Sequence, residues 1–195
     1  MTDTKEHILK VSFSLFLQKN YKEVTMQEIV EKTGMSKGAF YHYFESKEQL
    51  FLEVISYFAA AITMDYSKLR KDSLSQFYHD YIENNANSSF LQKQDDANNG
   101  FNYYTLIFDA MKLFPSFRDQ VVETIQNELN AWKEMVRSAR ANGEITSPMT
   151  DEQIAKMFVY TSDGVGMHKI LTGKVEDFAD DLLAVWDALY KELKS

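Results

Sequence analysis

"MSKGAFYHYFESKEQLF", residues 35–51, places four aromatic side chains ahead of Glu45 among two lysines and two serines. A helix sealed in a core does not accept Lys37 and His42, and a solvated helix does not favour Phe40 and Phe44. The stretch must therefore carry two faces with separate tasks. Positions four apart share a helix face, which groups Phe40 with Phe44 and sets Lys37 with Tyr41, and Gly38 with His42, on the opposite side. The phenylalanine face is expected to lock against Ile29, Val30 and an earlier helix, leaving the other face for something polar. Gly38 weakens a helix, and close backbone approach to a phosphate accounts for its presence there.

Upstream, Ile8, Val11, Phe13, Leu15, Phe16 and Leu17 form a helical apolar stripe that ends near Asn20. In "VTMQEIVEKTG" Thr25 and Glu28 have capping-box spacing, with Val24 and Ile29 as a hydrophobic staple. The spacing predicts a helix from Thr25 to Gly34. Gly34, Met35 and Ser36 leave room only for a tight turn before the next helix, Lys37 to about Phe44. Helix, short glycine turn, helix is the helix-turn-helix pattern.

The whole chain has 195 residues, is 45% apolar and lacks cysteine, which excludes disulfide and thiolate chemistry. Residues 1–50 hold seven lysines and seven acids, so all of the formal charge of −8 falls beyond residue 50. Such asymmetry is a sign of divided labour. Charges interrupt the first 20 residues, and no run suits a bilayer span, so a cytoplasmic location without membrane contact is the expectation. With two prolines and seven glycines, long helices are favoured throughout. Histidines at 7, 42, 79 and 168 form no HExxH, and no G-x-S-x-G or glycine-rich phosphate loop occurs. A metal site built from His79, His168 and nearby acids is the weaker reading, because sequence spacing does not bring the two histidines together. No cofactor, metal or catalytic residue is expected, and the alternatives of a helical-bundle enzyme or a small-molecule-binding protein leave residues 36–47 unexplained.

The segment "TMQEIVEKTGMSKGAFYHYFESKEQL" resembles the DNA-binding segment of the tetracycline-repressor (TetR) family, over roughly residues 5–52. Val30, Thr33 and Met35 depart from the commoner residues of that family, and no arginine precedes Arg70. The resemblance implies an all-α chain. Its amino-terminal three-helix domain, residues 1–47, contains the helix-turn-helix, and residues 48–195 form a helical ligand-binding and dimerisation domain. It further implies a homodimer on double-stranded, palindromic operator DNA, released by a small hydrophobic or aromatic effector. Carried over residue by residue, Thr25 and Gln27 face phosphate or a base edge, and Ser36, Lys37 and Gly38 enter the major groove. Lys37 is the base reader, Tyr41 and Lys47 bond phosphates, and His42 touches backbone or a thymine methyl.

Beyond residue 52 the resemblance implies an effector site within the helical domain, and apolar side chains at helical positions supply the candidates for its lining. Phe58, Ile62, Phe77, Tyr81 and Phe101 are candidates, as are Tyr104, Phe108, Met111, Trp132, Met135 and Phe158. A helix from Lys47 to about Leu69 would join them to the DNA-binding part. A buried acid such as Asp109 or Glu128 leans the effector toward cations. The asparagine-rich stretch 84–100 is expected to be a loop. Thr150 and Gln153 open a predicted helix over 151–172, and another follows over 177–193; Val165 and Trp186 are the dimer-interface candidates, with Gly164 and Gly166 allowing close approach.

Overall fold

The computed structural model describes residues 3–86, 98–174 and 177–194. For helical residues 61–62, 85–86 and 98–103 it describes the backbone alone. Nine α-helices occur among the described residues, and no strand. They are α1 (Asp3–Gln18), α2 (Met26–Thr33), α3 (Lys37–Tyr41), α4 (Lys47–Ile62), α5 (Leu74–Ala86), α6 (Asn98–Leu113), α7 (Pro115–Ala141), α8 (Asp151–Thr172) and α9 (Phe178–Leu193), with a 3₁₀ turn at Tyr66–Lys68.

The chain divides into two compact units, Met1–Ile62 with Asn98–Gln120, and Thr63–Ala97 with Val121–Ser195. In the first, α1 packs on α2, α4 and α6. Ile8, Leu9, Phe13 and Phe16 are buried together with Ile29, Phe40 and Phe44 and with Leu50, Phe51, Val54 and Ile55 of α4. This unit reaches past residue 47 because the apolar face of α4 is needed to close the core over α1. It also takes in α6, whose Leu106 and Ala110 are buried. α4 stops at Ile62, earlier than the helix predicted to about Leu69.

Local chemistry sets the ends of the short helices. The Thr25 hydroxyl accepts from the Glu28 amide at 3.2 Å, and the Ser36 hydroxyl accepts from the Ala39 amide at 3.3 Å. Gly34 ends α2 in the left-handed conformation, φ +68°, where any other side chain is strained. α3 is shorter than the predicted span, ending at Tyr41 with its last turn closed by the Phe44 amide on the Phe40 carbonyl at 3.3 Å.

The second unit is built around Trp132, Trp186, Phe77, Tyr78 and Phe158, all fully buried, with α9 packed on α5 and α8. The Arg140 guanidinium donates to the Ser147 and Met149 carbonyls at 2.6 Å and pairs with Asp151, holding the α7–α8 connection in place. Glu144 in that connection accepts from the Leu74 and Ser75 amides and so caps α5 from a distant point in the chain. The capping box that opens α8 forms as its spacing predicts, Thr150 and Gln153 exchanging bonds of 2.8 and 3.2 Å. The stretch 84–100 differs from expectation at both ends: α5 continues to Ala86 and α6 begins at Asn98, while 87–97 lies outside the described residues.

Candidate nucleic-acid interface and effector core

α3 is held from one side. Phe40 and Phe44 are fully buried, whereas Ser36, Lys37, Gly38, Tyr41 and His42 are exposed, as are Thr25 and Gln27 around the start of α2. A Cβ built on Gly38 meets nothing within 4 Å, so the backbone there is open to an approaching surface. The Lys37 ammonium lies 6.0 Å from the centre of the Tyr41 ring, which keeps both on one face. Gln27 donates to Glu31 at 2.9 Å. The α2 and α3 amino-terminal turns therefore present amides, two hydroxyls and one ammonium, the donor set that meets phosphate and base edges.

Lys47 differs from its expected use. It is half-buried, and its Nζ donates to the Tyr21 and Val24 carbonyls at 2.9 Å each. Two of its three N–H groups are thus taken up inside the unit, and a phosphate contact by Lys47 rests on the third. Tyr21 beneath it has its hydroxyl pushed up to about 12 by burial and by Glu48.

The effector candidates fall into separate places. Phe58 stacks on Phe13 with ring centroids 3.8 Å apart, in the first unit. In α6, Tyr104 and Phe108 are 36% and 58% exposed, and Met111 is half-buried. The side chains of Ile62 and Phe101 lie outside the described residues. Phe77, Tyr81, Trp132, Met135 and Phe158 converge in the second unit. Trp132 stacks on Phe158 at 4.9 Å and meets Phe77 edge-on at 5.0 Å. Glu128 joins this group: its Oε1 accepts from the Tyr66 hydroxyl at 2.6 Å and the Tyr81 hydroxyl at 3.2 Å. Burial raises Glu128 above the ordinary carboxylate range, and the same cause holds Tyr66 in its protonated form.

Trp186 is corrected as an interface candidate. It is fully buried in its own chain, 5.1 Å from Trp132 and 5.4 Å from Phe158. Val165 is half-buried against the same core. The exposed apolar side chains on these helices are instead Met157, Tyr160, Met167 and Leu171 of α8, along one stripe, and Val185 of α9. Gly166 is approached within the chain by Phe178 at 3.6 Å, while Gly164 faces open space.

Residues 8–54 match the family model described as "Bacterial regulatory proteins, tetR family". This part of the chain is a TetR-family segment. Among its relatives is the Bacillus subtilis HTH-type transcriptional regulator YerO, 43% identical over 70 residues, which are 36% of this chain and 23% of that protein. The Staphylococcus aureus HTH-type transcriptional regulator QacR is 26% identical over 175 residues, covering 76% of this chain and 87% of QacR. The match to YerO thus spans under a quarter of that protein's length, and the match to a second B. subtilis regulator, YuxN, spans 20% of it. Two solved structures share the fold. Reduced Escherichia coli NemR has a TM-score of 0.69 at 19% identity over 96% of this chain and 98% of NemR, and a TetR regulator from Haloarcula marismortui has 0.73 at 12% identity over 99% of each.

Within the TetR-family segment, sequence reasoning missed the aromatic contacts that bind it to α6 and the start of α7. Phe114 meets Tyr21 at 6.1 Å and Phe51 at 5.8 Å, and Phe117 is buried. The available signal was local: Phe114, Pro115 and Phe117 surround a helix start, where proline at the first helical position fixes the direction of the chain. Among the described residues, no three histidine, aspartate or glutamate side chains form a group able to hold a metal ion. No described helix is long and apolar enough to cross a membrane.

Proposed function

We propose that this chain is a ligand-responsive transcriptional repressor that binds a palindromic operator as a homodimer and is released by a small hydrophobic or aromatic effector. The observation that carries the DNA-binding part is α3 itself, one turn of helix anchored by Phe40 and Phe44 that offers Ser36, Lys37, Gly38, Tyr41 and His42 outward. Lys37 donates to guanine O6 or N7, Tyr41 to phosphate, and the Ser36 and Thr25 turns supply amides. So short an element reads few base pairs, and pairing two of them by a two-fold axis lets half-sites about 34–36 Å apart be read together. The α8 stripe of Met157, Tyr160, Met167 and Leu171, with Val185 on α9, is apolar surface of the kind a second copy covers. The name of E. coli NemR, a transcriptional repressor 41% identical over 46 residues, supports the sign of the regulation. Operator DNA places the site of action in the cytoplasm.

Immobilised protein tests this against a pool of random duplexes. Enrichment of an inverted repeat, bound with an affinity that falls linearly on a log-log plot against salt, is expected. A pool without enrichment, or binding indifferent to salt, overturns the proposal.

A further inference from the structure

Glu128 is a carboxylate in an unusual setting. No lysine or arginine pairs with it among the described residues. Both hydroxyls that reach it, Tyr66 and Tyr81, are neutral donors and share the single oxygen Oε1. Asp163 of α8 adds a second negative charge felt by Glu128. A half-buried carboxylate in aromatic surroundings calls for either a proton or a cation. An independent observation concerns the wall. Trp132 is fully buried, and its Nε1 faces the Tyr66 hydroxyl without making a hydrogen bond of normal geometry. A buried indole N–H left in this condition is rare.

The space beside Glu128 has a defined shape. The Tyr66 ring stacks toward Phe77 and toward Tyr81, each at 6.3 Å with interplanar angles of 21° and 28°. Tyr66 comes from the 3₁₀ turn Tyr66–Lys68, which has no fully buried residue, whereas Phe77, Tyr81 and Trp132 belong to long helices and are buried. The ring that can leave is therefore Tyr66, and the walls stay. We propose that Glu128 and the slot between Phe77 and Tyr81, filled here by the Tyr66 ring, form a binding site for an organic monocation carrying one aromatic ring. The ring of the ligand takes the stacked position of Tyr66, and its cationic group takes the place of the Tyr66 hydroxyl on Oε1. The cationic group has the Glu128 carboxylate beside it and the ring has the faces of Phe77 and Tyr81, surroundings that favour a quaternary or protonated amine over a neutral ring of equal size. As an assignment of effector class, it rests on the proposal of an effector-responsive regulator; as a binding site, it is tested by itself.

The chain has two tryptophans, Trp132 and Trp186, and both lie in this cluster, so their emission reports on the slot. The probes are phenyltrimethylammonium and its neutral isostere tert-butylbenzene, titrated into the full chain and into Glu128→Gln, Tyr66→Phe and Tyr66→Ala variants. Saturable quenching by the cation is expected. Glu128→Gln should weaken the cation about 10- to 30-fold, the scale of one desolvated cation contact, and leave the neutral isostere unchanged. Tyr66→Ala should tighten the cation by vacating its place, and Tyr66→Phe, which keeps the ring and frees the carboxylate of one donor, should tighten it less. Equal losses for both probes in Glu128→Gln, or weaker cation binding in Tyr66→Ala, overturn the site. So does the absence of saturable quenching in both the full chain and Tyr66→Ala. Operator binding is followed in parallel. Saturable cation binding that leaves operator affinity unchanged upholds the site and refutes its use as the effector switch; operator release by a neutral compound, with no cation binding, refutes the site and upholds the regulator.

Discussion

Lys47 Nζ stands 4.5 Å from the centre of the Tyr21 ring while donating to the Tyr21 carbonyl at 2.9 Å. With the further bond to the Val24 carbonyl, one ammonium closes the loop that precedes Thr25 and thereby fixes where α2 begins. Charge-assisted bonds to otherwise unpaired carbonyls are worth about 1.5–3 kcal/mol. Lys47→Met is expected to lower stability by about 2–3 kcal/mol in denaturant unfolding and to weaken operator binding even where the variant is fully folded. An unchanged unfolding midpoint would show that the loop does not depend on the ammonium.

The two faces of α3 separate binding from stability. Lys37→Ala and Tyr41→Phe, on exposed positions, are expected to reduce operator affinity with a change in stability within about 0.5 kcal/mol. Phe40→Ala, at a fully buried position, is expected to cost about 3–5 kcal/mol. Calorimetry and fluorescence anisotropy on the three variants decide the matter. Unfolding of Lys37→Ala, or operator affinity unchanged by it, contradicts the assignment of faces.

The motif was legible because its information is local. Thr25, Ser36 and Gly34 act within four residues of themselves, and Phe40 with Phe44 needs only helix periodicity to be seen as a buried pair. Trp186 was misassigned for the opposite reason. An apolar stripe on α9 specifies that something covers it, and whether the cover is α5 and α8 of the same chain or a second chain depends on contacts between positions far apart in sequence. Phe58 illustrates the same limit: its partner Phe13 is 45 positions away, and periodicity names no partner. Lys47 fits a phosphate contact by residue type, and only the course of residues 19–24 reveals the carbonyls that hold it. In the second unit the aromatic residues were visible one by one, yet their meeting at Glu128 joins the 3₁₀ turn, α5 and α7, which no local pattern encodes.

Asp80 supplies a pH dependence. It accepts from the Arg70 amide and guanidinium and from Gln76, all at 2.9 Å, and the guanidinium holds its pKa well below the ordinary 3.8. A carboxyl depressed on folding contributes stability that is fully present above its unfolded pKa and is lost as pH falls toward the folded value. Asp80→Asn is expected to cost about 1–3 kcal/mol at pH 7, with the difference from the parent chain constant down to about pH 4 and narrowing below it. Thermal melts of both proteins from pH 7 to pH 2.5 read this directly. A difference that widens on acidification would reverse the sign of the assignment.

Assembly is tested on the α8 stripe. Tyr160→Glu and Leu171→Glu, at positions 59% and 68% exposed, are expected to convert a dimer of about twice 22.7 kDa into a folded monomer with weakened operator binding, as light scattering would register. Trp186→Ala should instead destabilise the chain itself, by about 3–5 kcal/mol. Single-chain mass for the unsubstituted protein at micromolar concentration, with operator binding intact, would rule out the dimer.

The open backbone at Gly38 bears on how this chain can change over generations. With nothing within 4 Å of a Cβ built there, and with Lys37, Tyr41 and His42 likewise outside the core, the outward residues of α3 are released from the task of keeping the helix folded. Phe40 and Phe44, with the Ser36 cap, perform that task. Substitutions at 37, 38, 41 and 42 therefore explore new operator sequences at little risk to the protein that carries them. Duplicated copies of such a gene can drift apart in target while retaining one scaffold. The same four positions are where deliberate retargeting should begin, with the two phenylalanines left untouched.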